Sequence, residues 1–139
     1  LSLVMVGSTS KYYDYNTMYA GEQIGIQVGT GTTAPTPSDD AMEARIAHGE
    51  SAGEFEYGGC EFRNMTISDP NGEFTIRRYF TNNSGGSITV NEVGIYSPAG
   101  TSESFASRIF LIARDKVDPG VAVADTEILR ATYVPQITV

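Results

Sequence analysis

Side chains able to do chemistry are few in this chain and widely spaced. His48 is the only histidine and Cys60 the only cysteine in 139 residues, so any Ser-His-Asp or Cys-His mechanism would have to pass through one imidazole. His48 stands beside Gly49 at the end of a segment that reads as a helix, where a histidine also suits the C-terminal dipole. It is expected to be structural. Cys60, between Gly59 and Glu61 at a strand start, reads as a small buried apolar side chain. A lone thiol makes neither a disulfide nor a thiolate metal cluster within these residues. Asp39 and Asp40 would suit a cation, but Pro35, Pro37 and Ser38 just before them mark a helix start, where acidic residues favour the dipole. The stretch "DPNGE" lacks the repeated oxygen ligands and closing glutamate of a calcium loop. "GTGTTAP" lacks the spacing of a phosphate cradle. Glu54, Glu56 and Glu61 offer carboxylates at strand spacing, which selects nothing by itself. No residue is therefore assigned a catalytic, cofactor-binding or metal-binding role, and the chain is expected not to be an enzyme and to carry no cofactor.

Glu92 is a different case. It lies in "SITVNEVGIYS", among residues built for burial, and a buried carboxylate without a partner is costly. It is expected either to point outward at the bulge or to meet an arginine, Arg78 or Arg114, in a structural ion pair. A second cluster is aromatic: Tyr12, Tyr13, Tyr15 and Tyr19 crowd together, and Leu3 and Val4 lie in the apolar opening "LSLVMV". Tyrosine offers large amphipathic area at little entropic cost, so these six residues read as a subunit interface. Asn64-Met65-Thr66 and Asn82-Asn83-Ser84 match the glycosylation triplet, a short pattern that arises often by chance.

The composition is globular, with 40% hydrophobic residues. The net charge of -8, with nine basic residues against seventeen acidic, argues against nucleic acid as a partner, because phosphates need lysine and arginine to neutralise them. No apolar run approaches the ~20 residues that span a bilayer, so no membrane partner is expected. "LSLVMV" is short and has no basic leader, unlike a signal peptide.

Period-2 alternation dominates the chain. "EQIGIQVG" alternates Ile24, Ile26 and Val28. "GEFEYGG", "CEFRNMTIS" and "EFTIRRYFT" follow, the last placing Phe74, Ile76, Arg78 and Phe80 on one face, with "DPNG" at 69–72 as a turn. "NNSGG" at 82–86 reads as the loop of a hairpin leading into "SITVNEVGIYS". There the phase slips between Val90 and Val93, which predicts a β-bulge near Asn91-Glu92. "SRIFLIARD" is almost continuously apolar, as in a central strand, and "GVAVAD" and "EILRATYVPQITV" complete the set. One short helix is expected after Ser38, with Met42 and Ile46 four apart and Gly49 as its stop. The sum is an all-β fold, an antiparallel, jelly-roll-like β-sandwich of about eight strands with one short helix. A single domain over 1–139 is expected, with 1–20 as an extended N-terminal arm.

Three segments taken together, "IQVGTGTTAPTPSDDAMEARI", "FTIRRYFTNNSGGSITVNEVGIY" and "FLIARD", resemble small virion structural proteins of tailed bacteriophages. Tail-fibre, baseplate-attachment and capsid-decoration domains of that group are the relevant likeness, over residues 24 to about 134. The resemblance implies a non-enzymatic virion component on the particle exterior, head or tail. Its partners would be copies of itself, by likeness a trimer, other virion proteins of the scaffold, and a host-surface receptor. The Tyr-rich opening and the ending "YVPQITV", without a repetitive shaft, depart from the fibre pattern. An alternative expectation is a receptor- or carbohydrate-binding β-sandwich module, in which the Tyr cluster stacks on sugars.

Overall fold

A computed structural model describes residues 24–98 and 109–138. The expected N-terminal arm, with Leu3, Val4, Tyr12, Tyr13, Tyr15 and Tyr19, lies outside the described residues. Seven strands are present among those described: β1 (Gly25–Gly29), β2 (Glu56–Ser68), β3 (Asn71–Thr81), β4 (Ile88–Pro98), β5 (Ile109–Val123), β6 (Ile128–Tyr133) and β7 (Gln136–Thr138). They form two antiparallel sheets. One has the order β1-β4-β5, and the other β2-β3-β6 with β7 also on β3. The fold is all-β and consistent with a sandwich.

Alternation does what the sequence predicts on β1 and β3. Ile26 and Val28 from the first sheet meet Ile76 and Phe80 from the second in one core, with Phe55, Tyr57, Ile88, Val90, Ile95 and Val123 around them. Tyr57 packs edge-on against Phe80, with ring centroids 4.7 Å apart, a favoured aromatic arrangement. Arg78 shares the inward face of β3 and is 1% exposed. Its guanidinium donates to the carbonyls of Gly58 at 2.7 Å, Ile24 at 2.7 Å and Ile26 at 3.1 Å, and lies over the Tyr57 ring. Thus it fastens the start of β1 to the irregular part of β2, where the pairing with β3 shifts between Tyr57 and Cys60.

Four expectations need correction. No helix follows Ser38 among the described residues. Residues 38–48 form turns and isolated bridges, Gly29 with Arg45 and His48 with Phe55. The backbone N–H groups that a helix would use are taken elsewhere: Ile46 donates to the Val28 carbonyl at 2.9 Å, and Ala44 to a side chain described below. "NNSGG" is not a hairpin loop either. β3 and β4 lie in different sheets, and the segment carries the chain between them. Asn82 makes this crossing. It is fully buried, and its Nδ2 donates to the Gly86 and Val123 carbonyls, both at 2.8 Å, while its Oδ1 accepts from Ser84. That burial also removes Asn82 as a glycan acceptor in the folded chain. Gly85, at φ 81°, supplies the left-handed turn.

The third correction concerns "SRIFLIARD", which is not central. It continues through "GVAVAD" as the single long strand β5, at the edge of its sheet. "GEFEYGG" and "CEFRNMTIS" likewise merge into β2. The fourth concerns the slip on β4. Pairing with β5 is interrupted between Val90 and Glu92, where expected, but the extra residues stand on β5: Val90 faces Val121 and Glu92 faces Lys116. Val117–Gly120 loop out opposite Asn91, and β4 itself changes phase at Asn91–Glu92 as expected, since Val90 and Ile95 both reach the core although they are an odd number of residues apart.

Candidate functional site

The most organised polar site lies on the outer face of the β1-β4-β5 sheet. β4 presents Glu92 there, 1% exposed, because the slip just before it turns the residue away from the core. Its carboxylate is surrounded by donors. Oε1 accepts from the N–H of Ala44 at 2.7 Å and of Gly31 at 3.3 Å, and Oε2 from the N–H of Glu43 at 3.1 Å. Arg114, on β5, donates Nε to Oε2 at 2.8 Å. Its side chain is 6% exposed, and its other two nitrogens reach onward: Nη1 to Asp39 at 2.7 Å and Nη2 to the Thr33 carbonyl at 3.0 Å. Glu43 lies 3.6 Å from the same guanidinium and closes back on Thr33, through its N–H at 2.8 Å and its hydroxyl at 2.9 Å.

The result is a clasp. Residues 30–46 leave β1, turn at the proline-rich stretch and return along the outer edge of β1, where the Thr30 N–H meets the Ala44 carbonyl at 2.9 Å. A loop of this length would ordinarily be solvated. Here a buried carboxylate takes three of its N–H groups, and an arginine ties that carboxylate to the far side of the loop. Charge-assisted hydrogen bonds of this kind are stronger than neutral ones, and the ion pair satisfies the charge that burial would otherwise penalise. No buried side-chain polar atom among the described residues lacks a hydrogen-bond partner.

Glycine makes the close approach geometrically feasible. A Cβ on Gly31 would stand 2.7 Å from Glu92 Oε1, and one on Gly29 would stand 2.6 Å from the Ala44 carbonyl oxygen. The "GTG" of this segment therefore admits a carboxylate and a returning backbone rather than a phosphate. Electrostatics follow the geometry. The N–H and hydroxyl of Thr36, and then Arg114, hold the Asp39 carboxyl down from 3.8 to about 2. Thr33's two donors lower Glu43, and the hydrogen bonds that Arg114 donates to Glu92 and Asp39 raise its own value.

Arg114 is thus the partner of Glu92, and Arg78 lies in the core between the sheets. Asp39 does not sit at a helix N-terminus but turns back onto Thr36 and across to Arg114. Asp40 is exposed and stands outside this set of bonds. His48 sits at no helix end: its Nδ1 accepts the Tyr57 N–H at 3.0 Å, tying the loop to β2. Cys60 is half-buried beside Gly25, and burial pushes its thiol up, away from the reactive thiolate. Sequence reasoning missed Thr33, Asp39 and Glu43 as members of one network. The available signal was the run of small and acidic residues around two prolines, which reads equally well as a helix cap. Among the described residues there is no group of three metal-ligating side chains. A shallow open depression beside the clasp, lined by Ala41, Met42, Arg45, Tyr96 and Ile109, has a volume of about 400 Å³.

This arrangement can brace a surface loop. It gathers no nucleophile, base and oxyanion donors around a common point. No protein-family model, curated protein or solved structure matches the chain.

Proposed function

We propose that this protein is a non-enzymatic structural component of a tailed-bacteriophage virion, binding copies of itself and the viral scaffold on the particle exterior. One observation carries the reading. The three segments that resemble phage virion proteins, far apart in sequence, supply the members of one clasp: Gly31, Thr33, Asp39, Glu43 and Ala44 from the first, Glu92 from the second and Arg114 from the third. A shared pattern of residues is expected where each needs the others to be satisfied, so the likeness has a physical basis in a braced, two-sheet frame. Rigid frames suit assembly, since a docking surface that is already ordered loses little entropy on binding.

The test is electron microscopy of particles whose copy of this chain carries a label. The reading expects the label at fixed, symmetry-related positions on the head or the tail. Particles that are complete and infective without the chain, with the protein found only free, would overturn it.

A further inference from the structure

We infer that residues 12–19, "YYDYNTMY", seat on the second sheet of their own chain, over a stretch of its inner face that the first sheet leaves bare. The inference is independent of the virion reading and goes beyond it. β3 turns Gly72, Phe74, Ile76, Arg78 and Phe80 to one side, since alternate residues of a strand share a face. Ile76 and Phe80 are buried in the core shared with the first sheet. Toward the other end of β3 that cover runs out. Ile67 and Ile137 flank Gly72 as its partners on β2 and β7, on the same inner face, yet they are 81% and 63% exposed. Met65, 77% exposed, lies in the bulge opposite Phe74. Exposed apolar rows continuous with a core mark docking surfaces.

The course of β1 selects the occupant. At its far end the Val28 carbonyl accepts from Ile46, whose own carbonyl takes the hydroxyl of Tyr57, the residue opposite Phe80. At its start a Cβ on Gly25 would stand 2.8 Å from the Cys60 sulfur, and the Ile24 carbonyl accepts from Arg78, the residue opposite Cys60. β1 followed backward thus moves from the Phe80 row to the Arg78 row. Continued on that line, the chain heads for Phe74 and Gly72. From Arg78 to Gly72 is six residues of β3, or ~20 Å. Six extended residues before Ile24 cover the same ~20 Å. That brings Met18 and Tyr19 level with Ile67 and Ile137 and puts the remaining tyrosines within reach of Met65.

The chemistry matches. Residues 12–19 hold four tyrosines and a methionine against one charge, Asp14. Tyrosine buries a large ring while its hydroxyl stays in water, which suits a face open on one side. A segment tethered at Ile24 also meets this face at an effective concentration on the order of millimolar, an advantage that a second copy free in solution lacks. Residues 99–108 join β4 to β5 at the same end of the first sheet, but offer a single aromatic, Phe105. The tyrosine cluster is thereby turned onto its own chain rather than onto a neighbour.

Cysteine trapping and urea unfolding of the full chain test this. In a Cys60→Ala background, Met18→Cys with Ile67→Cys should close a disulfide within one chain on mild oxidation, giving cross-linked monomers whose yield does not fall on dilution. Ile67→Ser and Tyr19→Ser should each lower the urea midpoint, and together by less than the sum of the two shifts, because either one alone breaks the same contact. Cross-linked dimers in place of monomers would overturn the same-chain occupant. A cross-link from Phe105→Cys to Ile67→Cys, with none from Met18→Cys, would overturn it in favour of residues 99–108. Additive midpoint shifts and no cross-link from either position would overturn docking on this face altogether.

Discussion

Arg114 and Arg78 are both largely enclosed, and the protein satisfies them by different means. Arg114 meets carboxylates: Glu92 directly, Asp39 beyond it, Glu43 at the rim. Arg78 meets backbone carbonyls of β1 and β2 and the faces of Tyr57 and Phe80. The first arrangement braces a loop against the outside of a sheet. The second joins two sheets through the core. A carboxylate is needed where the groups to be held are N–H donors, as in residues 31, 43 and 44, and an arginine alone suffices where they are carbonyls. Only the first arrangement depends on side chains that titrate in acid.

The largest effect expected from this contrast is at Glu92. Glu92→Ala takes from Arg114 one of its carboxylate partners and leaves three N–H groups without their acceptor, and should cost about 3–5 kcal/mol in urea unfolding. A loss below about 1 kcal/mol would mean that the clasp is idle. Arg78→Met keeps much of the stem's packing but abandons three carbonyls, for about 2–3 kcal/mol. If it proved costlier than Glu92→Ala, the core arginine would be the principal brace. Gly29→Ala sharpens the geometry. The added methyl has to displace the Ala44 backbone, and about 1–3 kcal/mol should be lost, whereas alanine at Gly86, where a Cβ meets open space, should change little.

The smallest effect is on acid stability. The Asp39 carboxyl has a folded value of about 2 against 3.8 when unperturbed. Its contribution is therefore present above about pH 4 and is lost as pH falls toward 2, because the unfolded chain takes up the proton first. Asp39→Asn should flatten that part of the acid limb in a pH series of unfolding midpoints. Arg78→Met should lower the whole curve and leave its acid slope unchanged. Equal slopes in wild type and Asp39→Asn would remove the titratable side of the comparison.

Much of the frame was legible in the sequence. Alternation identified β1, β3 and the apolar face that carries Arg78, and the phase slip after Val90 located the break in pairing. Two readings failed for one reason. "PSDDAMEARI" has the cap, acidic first turn and apolar spacing of a helix, and "NNSGG" has the glycines of a hairpin. In each the local signal was sound, but distant groups held the backbone differently: Glu92 and β1 in the one, Val123 and Glu127 in the other.

The amino-acid sequence by itself determined that strands would dominate and that Glu92 would be costly to bury alone. Tertiary structure decided which arginine answers Glu92, which sheet each strand joins, and that a helix-like segment forms turns and isolated bridges instead. The physical reason is distance along the chain. Arg114 bonds a carbonyl 81 residues away, and a preference of a few tenths of a kcal/mol per residue for helix yields to charge-assisted bonds that exist only once the sheets have met.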